Sequence, residues 1–485
     1  MELAADTIAA VSTAPGRGAI AIVRLSGPES VEIADKLFRG KEALSQTRSH
    51  SVRHGRLTDR AGQVLDEVLV TVMKAPDTFT GEDVVEISCH GGMLVSQLVL
   101  QALVEVGCRL AEPGEFTRRA FLNGKIDLAQ AEAVAELIAA RTRRAAERAL
   151  TQLEGELSER IRALRSSIIG VLAELEARID FPDDIPEGLE TDALSATLDE
   201  CVRSLEEIIS ERTGSALLSA GARIPIVGSP NVGKSSLLNA IVGRSRVIVS
   251  PYPGTTRDTV DEVIELDGVP VRLVDTAGLR SATGEVEEEG VRRTMDELRL
   301  ADLVILVVDA SAHTGISPGS TGGGSVVSEI LESIGDKPCL VAINKIDIAS
   351  PAAARSALEA HAREVSAGRG SSSHPSSAPG KHKIVEVSAT KGTGISSFKD
   401  VLASQVTTAD FDLRDDACTC QRHVNCLRSA LENLQSAKHA LESGSFEELV
   451  AFELREAAQE LGSITGERVG PEILDSIFSR FCVGK

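Results

Sequence analysis

Residues 228–235 read GSPNVGKS, between an apolar run, RIPIVG, and an apolar helical stretch. They fit G-x-x-x-x-G-K-[ST] in the strand-then-helix setting that the pattern requires. The glycines let backbone N–H groups close around phosphate oxygens, and a helix N-terminus adds partial positive charge. Lys234 is expected to neutralise β- and γ-oxygens, and Ser235 to ligate Mg²⁺. Alone, the stretch implies a nucleoside triphosphate site and leaves the base open.

Four further motifs follow in order. GTTRD (254–258) offers Thr256 as a second hydroxyl for Mg²⁺. DTAG (275–278) ends the apolar run VRLVDT; Asp275 can hold Mg²⁺ through water, and the Gly278 N–H can sense a γ-phosphate. NKID (344–347) ends CLVAINK, where the Asp347 carboxylate can accept guanine N1–H and N2–H₂, a donor pair that adenine lacks. SAT (388–390) ends IVEVSA and supports the base. Apolar runs alternating with helical segments imply a doubly wound α/β domain that binds and hydrolyses GTP. One departure stands out. Ras-like enzymes place a water-orienting Gln after DTAG. Here that position is Leu279, so a polar group must come from elsewhere, and Glu285, Glu287, Glu288 and Glu289 are nearby. The bland reading of that acidic run is a solvated loop.

The flanks differ in texture. Residues 1–121 mix short strands (AIAIVRLSG, EVLVTVM, DVVEIS) with a helical stretch, MLVSQLVLQALVEVG, and read as an α+β domain. In 122–215, Leu128, Ala131, Val134, Leu137 and Ile138, then Ile161, Leu164, Ile168, Leu172, Leu175 and Ile179, recur at helical spacing. The α/β domain is placed at 216–405, and helices return over 406–485. The expected architecture is multidomain, with an α/β P-loop GTPase domain inserted into a helical domain that follows the α+β domain. Two Gly/Ser/Pro-rich stretches, 313–325 and 366–383, are expected to be mobile surface loops.

Composition narrows the class. The 485 residues suit about three domains. The formal charge of −21 argues against indiscriminate nucleic-acid binding. No signal peptide is read at the N-terminus, and no apolar run nears the roughly 20 residues that span a bilayer. The eight scattered cysteines read as reduced thiols, and the expected location is cytoplasmic. Cys418, Cys420, His423 and Cys426 are side chains that can ligate zinc, but their spacing matches no usual ligand pattern and the segment reads as the start of a helix. Arg141, Arg143, Arg144 and Arg148 lie on one helical stretch that could touch phosphates; a solvated helix face is the commoner reading.

Several stretches together carry a family resemblance: DTIAAVSTAPGRGAIAIVRLSG, FTGEDVVEISCHGG (79–92), PGEFTRRAFLNGKIDLAQAEAVAELI (113–138), IDFPDD and the terminal IFSRFCVGK. The chain resembles the MnmE (TrmE) family of bacterial tRNA modification GTPases over nearly its whole length. The resemblance implies an N-terminal domain that dimerises and binds a 5-formyltetrahydrofolate-type one-carbon donor through Arg24, Glu82, Lys125 and Lys485. It implies a partner, MnmG, that carries FAD and uses NADH, in a heterotetramer with two copies of each chain. Together they would install an aminomethyl or carboxymethylaminomethyl group at C5 of the wobble uridine of certain tRNAs. A K⁺ ion beside the phosphates is implied, held by Asn231, the carbonyls of Ser250 and Tyr252, and Thr255. Glu287 becomes the water-positioning catalytic residue beside Lys234. G-domain dimerisation would order these loops and drive hydrolysis.

The residues expected around GTP are then Asn231, Val232, Gly233, Lys234, Ser235, Ser236, Ser250, Thr255, Thr256, Asp275, Thr276, Ala277, Gly278, Asn344, Lys345, Asp347, Ser388 and Ala389. Mg²⁺ falls to Ser235 and Thr256. Cys482 ordinarily reads as a buried small thiol; the resemblance sets it beside the folate site as a candidate catalytic nucleophile. The competing reading is a ribosome-assembly GTPase of the Era/Der type, which would share the five motifs but carry an RNA-binding appendix; no GxxG-centred pattern with basic flanks is present. A folate-binding scaffold with a vestigial nucleotide domain is opposed by intact Lys234, Ser235, Thr256 and Asp275.

Overall fold

The computed structural model describes residues 6–140, 142–180, 191–220, 222–243, 261–266, 269–275, 295, 297–311, 327, 330–331, 333–334, 337–359, 382–408, 418–443 and 446–485. Two compact units are distinguished. One comprises Met1–Ile138, Ala149–Glu206 and Asn425–Lys485, the other Ala139–Arg148 and Glu207–Val424.

The first unit begins with a seven-stranded sheet in the order β3-β4-β5-β6-β2-β1-β7. Its strands are β1 (Ile8–Val11), β2 (Ile20–Ser26), β3 (Phe38–Gly40), β4 (Ser51–Thr58), β5 (Val64–Met73), β6 (Val84–His90) and β7 (Arg109–Leu110). Pairing is antiparallel except between β1 and β7. Side chains alternate across a strand. In β2, Ala21, Val23 and Leu25 therefore join a core with Ile33 and Leu37 of helix α1 (Ser30–Leu37) and Val99 and Leu103 of α2 (Met93–Glu105). The intervening residues, Arg24 and Ser26, belong to the opposite face. There Ile8 and Ala10 pack with Phe116 of α3 (Glu115–Leu122).

The helical part of this unit contains α4 (Leu128–Ala139, all but its last residue), the Ala149–Leu153 end of α5 (Arg143–Leu153), α6 (Glu156–Asp180), the Thr191–Glu206 part of α7 (Thr191–Ala220) and helix Glu447–Thr465. The buried stripe of α6 is Leu157, Ile161, Leu164, Ile168, Val171 and Leu175. Its alternating steps of four and three keep one seam against a partner helix. The helix across the seam buries Val450, Leu454, Ala457, Leu461 and Ile464. Arg455–Glu176 at 2.7 Å and Arg165–Glu467 at 2.6 Å flank it. Leu172 and Ile179, expected on the stripe, are only partly buried, because a four-residue step overruns the 3.5-residue seam.

In the second unit a six-stranded sheet runs β13-β12-β11-β8-β10-β9. The strands are β8 (Ala222–Val227), β9 (Asp261–Leu266), β10 (Val269–Asp275), β11 (Val304–Asp309), β12 (Cys339–Asn344) and β13 (His382–Glu386). Only the edge strand β9 is antiparallel. Both faces are covered: Ile224, Leu273, Ile305 and Leu340 pack on one side with Leu237, Phe398 and Leu402, and Val304, Leu306, Val341 and Ile343 on the other with Leu298 and Ile334. Strands buried on both faces explain the near-continuous apolar runs. Residues 313–325 and 366–381 lie outside the described set, whereas His382 and Lys383 begin β13.

Candidate nucleotide-binding and one-carbon sites

Strand β8 ends at Val227, and the chain turns through Gly228 to Gly233 into α8 (Lys234–Val242). Gly228 has φ +150°, and a Cβ there would lie 2.3 Å from Val307 O, so β11 closes against this turn. Gly233 caps α8 at φ +96°, where a Cβ would come within 2.4 Å of Asn344 Nδ2. These two positions require glycine, for conformation and for space. Lys234 Nζ donates to Gly228 O at 2.9 Å and Ser229 O at 2.8 Å. Ser235 Oγ donates to Asp275 Oδ2 at 2.6 Å, which joins the first turn of α8 to the end of β10.

The base-side motifs converge on the same loop. Asn344 Nδ2 donates to Val232 O at 2.9 Å, and Asn344 Oδ1 accepts from the Ala389 N–H at 3.0 Å. One amide thus ties the phosphate loop to the segment after β13. Ser388 Oγ donates to Asp347 Oδ1 at 2.7 Å. That bond holds the Asp347 carboxyl below its ordinary carboxylate value, ionised and able to accept from a guanine edge. Lys345 Nζ donates to Asn231 O at 2.8 Å and to Asp309 Oδ2 at 2.6 Å. Ser236 lies exposed on the first turn of α8. Ser250, Tyr252, Thr255, Thr256, Thr276, Ala277, Gly278, Leu279 and Glu287 lie outside the described residues, as does Arg141.

A second polar site lies on the first unit's sheet. Arg24 Nη2 contacts Glu86 Oε1 of β6 at 2.7 Å, directly across the strand pair, and the guanidinium stands 5.8 Å over the Phe116 ring. The C-terminal tail reaches the same place. Phe478 and Phe481 anchor it against Leu128 and Val134 of α4. Ser12 Oγ then donates to Gly484 O at 3.1 Å, and Arg24 Nη1 to the same oxygen at 3.5 Å. Lys485 is delivered beside Arg24; burial first, and then that like charge, lower its ammonium below the ordinary lysine value. Cys482 is exposed, which corrects the expectation of a buried thiol. The buried apolar residues of the tail end at Phe481, Val483 is exposed, and Gly484 makes the close approach to β1.

Two strand positions beyond Arg24, Ser26 Oγ donates to Glu82 Oε2 at 2.7 Å. Arg119 Nη1 reaches Glu82 Oε1 at 3.2 Å, and Nη2 reaches Asp6 Oδ1 at 2.7 Å and Glu115 Oε1 at 3.0 Å. Arg109 joins Asp6 and Glu115 from the other side, at 2.7 Å and 2.5 Å. Burial alone would raise the Glu115 carboxyl; hydrogen bonds from Arg109, the Glu112 N–H and Arg119 outweigh it and hold Glu115 below its ordinary value. Lys125 sits apart from Arg24 and Lys485 in its contacts, donating to Pro76 O at 2.9 Å beside Gly81. Sequence reading missed Asp6, Arg109, Glu115 and Arg119. The sole local signal was the i,i+4 spacing of Glu115 and Arg119.

The zinc candidate falls in helix Cys418–Glu442, where His423 is buried. Among the described residues no group of three His, Cys, Asp or Glu side chains could hold a metal ion, and no helix is long and apolar enough to cross a membrane. On α5, Arg143 pairs with Glu147 at 2.7 Å and Arg148 donates to Glu211 O at 2.6 Å.

A mainly parallel sheet with a glycine-bounded loop at its carboxyl edge, Ser235 on Asp275, and Asn344 and Asp347 tied to the segment after β13 have the arrangement of a P-loop GTP hydrolase. The family description of the GTP-binding protein TrmE N-terminus matches residues 7–125, and that of the MnmE helical domain matches residues 128–482. The tRNA modification GTPase MnmE of Moorella thermoacetica is 42% identical over 491 residues, covering 99% of both chains. Those of Acetivibrio thermocellus and Symbiobacterium thermophilum are 39% and 42% identical over 482 residues, each covering 99% of both chains. The chain belongs to the MnmE family.

Proposed function

We propose that this chain is a K⁺-activated GTPase that works with an FAD-dependent partner of the MnmG type. Together they would add an aminomethyl or carboxymethylaminomethyl group at C5 of the wobble uridine of certain tRNAs. The observation that carries the reading is a second charged site, Arg24–Glu86 with Lys485 and Ser26–Glu82 with Arg119, in a chain whose GTPase site already accounts for hydrolysis. A plain GTPase has no use for it.

The residues present fit the groups the family implies. Ser235 Oγ and Asp275 Oδ2 meet at 2.6 Å, a hard-oxygen pair at a helix start suited to Mg²⁺, with Thr256 as the expected second hydroxyl. Asn231 is exposed on the phosphate loop and offers a neutral amide oxygen to K⁺, with Ser250, Tyr252 and Thr255 as the other expected ligands. Arg24, Glu82, Lys125 and Lys485 would hold the 5-formyltetrahydrofolate-type donor. The two cations would supply positive charge against that developing on the transferred phosphoryl group, and the folate would supply the one-carbon unit.

The chain's own residues do the rest. Lys234 neutralises β/γ oxygens, Asn344 and Asp347 fix the base, and Glu287 positions the attacking water in place of the Gln that Leu279 replaces. Cys482, which is exposed, would act as a nucleophile at the second site. Pairing of two GTPase domains completes the catalytic loops, so hydrolysis is slow alone and fast when paired. The assembly is a homodimer joined by two copies of the partner, in the cytoplasm. Replacing K⁺ with Na⁺ at equal ionic strength is expected to lower GTP hydrolysis several-fold; equal rates would remove the K⁺ role. Mass analysis of tRNA wobble uridines in a deletion strain tests the modification itself, and unmodified and modified pools indistinguishable from wild type would overturn it.

A further inference from the structure

We infer that Asp309 is a positioning residue for guanine-nucleotide retention, acting through Lys345 on the phosphate loop. Asp309 ends β11, in register with Asn344 at the end of β12. It lies outside every GTPase motif read from the sequence, and its side chain is 12% exposed. One oxygen, Oδ1, accepts from the Ser311 N–H at 2.8 Å and Ser311 Oγ at 2.6 Å, which fixes the plane of the carboxylate. The other, Oδ2, takes Lys345 Nζ at 2.6 Å.

That ammonium has a second bond, to Asn231 O at 2.8 Å. Asn231 and Lys345 are both left-handed, at φ +61° and +67°, a conformation that costs about 1 kcal/mol or more for a residue with a side chain. Such residues persist only where their surroundings hold them. A lysine on a flexible four-carbon stem is a poor clamp unless its charge is itself fixed. Asp309 supplies that fixation: it anchors the ammonium, and the ammonium pins the loop carbonyl two residues before Gly233. Burial would raise the Asp309 carboxyl, but Lys345 and Ser311 outweigh it and hold it below the ordinary value, so the brace stays charged near neutrality.

Without the carboxylate, Lys345 gains freedom, Asn231 relaxes, and the loop's N–H groups lose their alignment on the phosphates. The first consequence is faster nucleotide release. The chemical step changes less, because Asp309 touches none of the reacting atoms. The inference rests on the GTP site and is independent of the proposed cation and one-carbon chemistry.

The test is stopped-flow release of a fluorescent GDP analogue from the full chain. Wild type is measured first, and its failure to bind guanine nucleotide would overturn the site reading and this inference together. With wild type binding, Asp309→Asn is expected to release GDP about tenfold faster, the loss appropriate to one charge-assisted hydrogen bond. KM for GTP should rise while kcat at saturation stays within about twofold, a split that general destabilisation would not produce. In a Lys345→Met background, Asp309→Asn should add nothing; full additivity of the two changes would show that Asp309 does not act through Lys345 and would overturn the inference. So would wild-type release from folded Asp309→Asn. Should that variant fail to fold, Asp309→Glu, which moves the carboxylate along the same side chain, is read by the same criteria: faster release supports the brace, and wild-type release in a folded protein overturns it.

Discussion

Lys345 Nζ and Asn231 O lie 2.8 Å apart, and both residues are left-handed without being glycine. One belongs to the base-reading motif and the other to the phosphate loop. The bond makes the two motifs a single mechanical unit, so a change at the base side is felt at the phosphate loop.

Asn231 therefore has two separable properties, its backbone conformation and its amide oxygen. Asn231→Gly keeps the first and removes the second, since glycine adopts φ +61° without penalty. Asn231→Ala loses both and should cost about 1 kcal/mol of stability more than the glycine variant. If the amide is a K⁺ ligand, both variants hydrolyse GTP at the same rate in K⁺ and Na⁺. A glycine variant that retains K⁺ stimulation would take Asn231 out of the cation site.

Gly233→Ala should abolish tight guanine-nucleotide binding. The new methyl would stand 2.4 Å from Asn344 Nδ2, the atom that holds Val232 O, at a backbone φ of +96°. The loop must shift, and the Asn344 bridge to Ala389 shifts with it. Titration with a fluorescent GTP analogue is expected to show a loss of affinity of about 5- to 150-fold, from strain of about 1–3 kcal/mol. Wild-type affinity would mean the loop is more pliant than this packing allows.

Much of this was legible in advance. β8, β10, β11, β12 and β13 are apolar runs that end in polar motifs, because a parallel sheet buries both faces and presents its carboxyl edge to ligand. β4 was not legible: SVRHGRLT alternates buried and exposed side chains with three basic residues among them, which reads as a loop. β9, DEVIEL, is a short edge strand with acids on it. The ion network around Arg119 was invisible for a different reason. Asp6 and Arg119 are 113 residues apart, and only the fold makes them neighbours at 2.7 Å. Asp309 reads from sequence as the polar end of a strand; its meaning comes from Lys345.

That network gives a pH prediction. The folded-state Asp6 and Glu115 carboxyls lie below 3.8 and 4.5, their ordinary values: burial raises both, and the arginine hydrogen bonds outweigh it. Groups lowered on folding contribute stability above those ordinary values, and the contribution is lost as pH falls through the folded ones. Wild type should therefore lose stability steeply below pH 4.5. Arg119→Leu removes the buried guanidinium shared by Asp6, Glu82 and Glu115, leaves Arg109 as the cation on Asp6 and Glu115, and should cost about 3 kcal/mol at pH 7. With Arg109 still bonded to them, Asp6 and Glu115 are lowered less than in wild type, so the variant should lose less further stability than wild type as pH falls below 4.5. Thermal melts of both proteins across that range check the sign. Parallel pH profiles would show that Arg119 does not set these carboxyls.

The two sites should also separate by mutation. Gly484 has φ +94°, and a Cβ there would lie 2.6 Å from Val11 O, so Gly484→Ala cannot keep the tail seated. The bonds from Ser12 and Arg24 to Gly484 O are lost with it, and Lys485 leaves Arg24. Phe478 and Phe481 remain to anchor the rest of the tail, so the fold survives. Under the proposed division of labour, Gly484→Ala and Lys485→Gln hydrolyse GTP at wild-type rates yet leave wobble uridines unmodified. The comparison is strict, because each variant serves as its own folding control through its GTPase rate. Loss of hydrolysis in step with modification would mean that the tail serves the whole protein's stability, and full modification in both variants would remove Arg24 and Lys485 from the one-carbon chemistry.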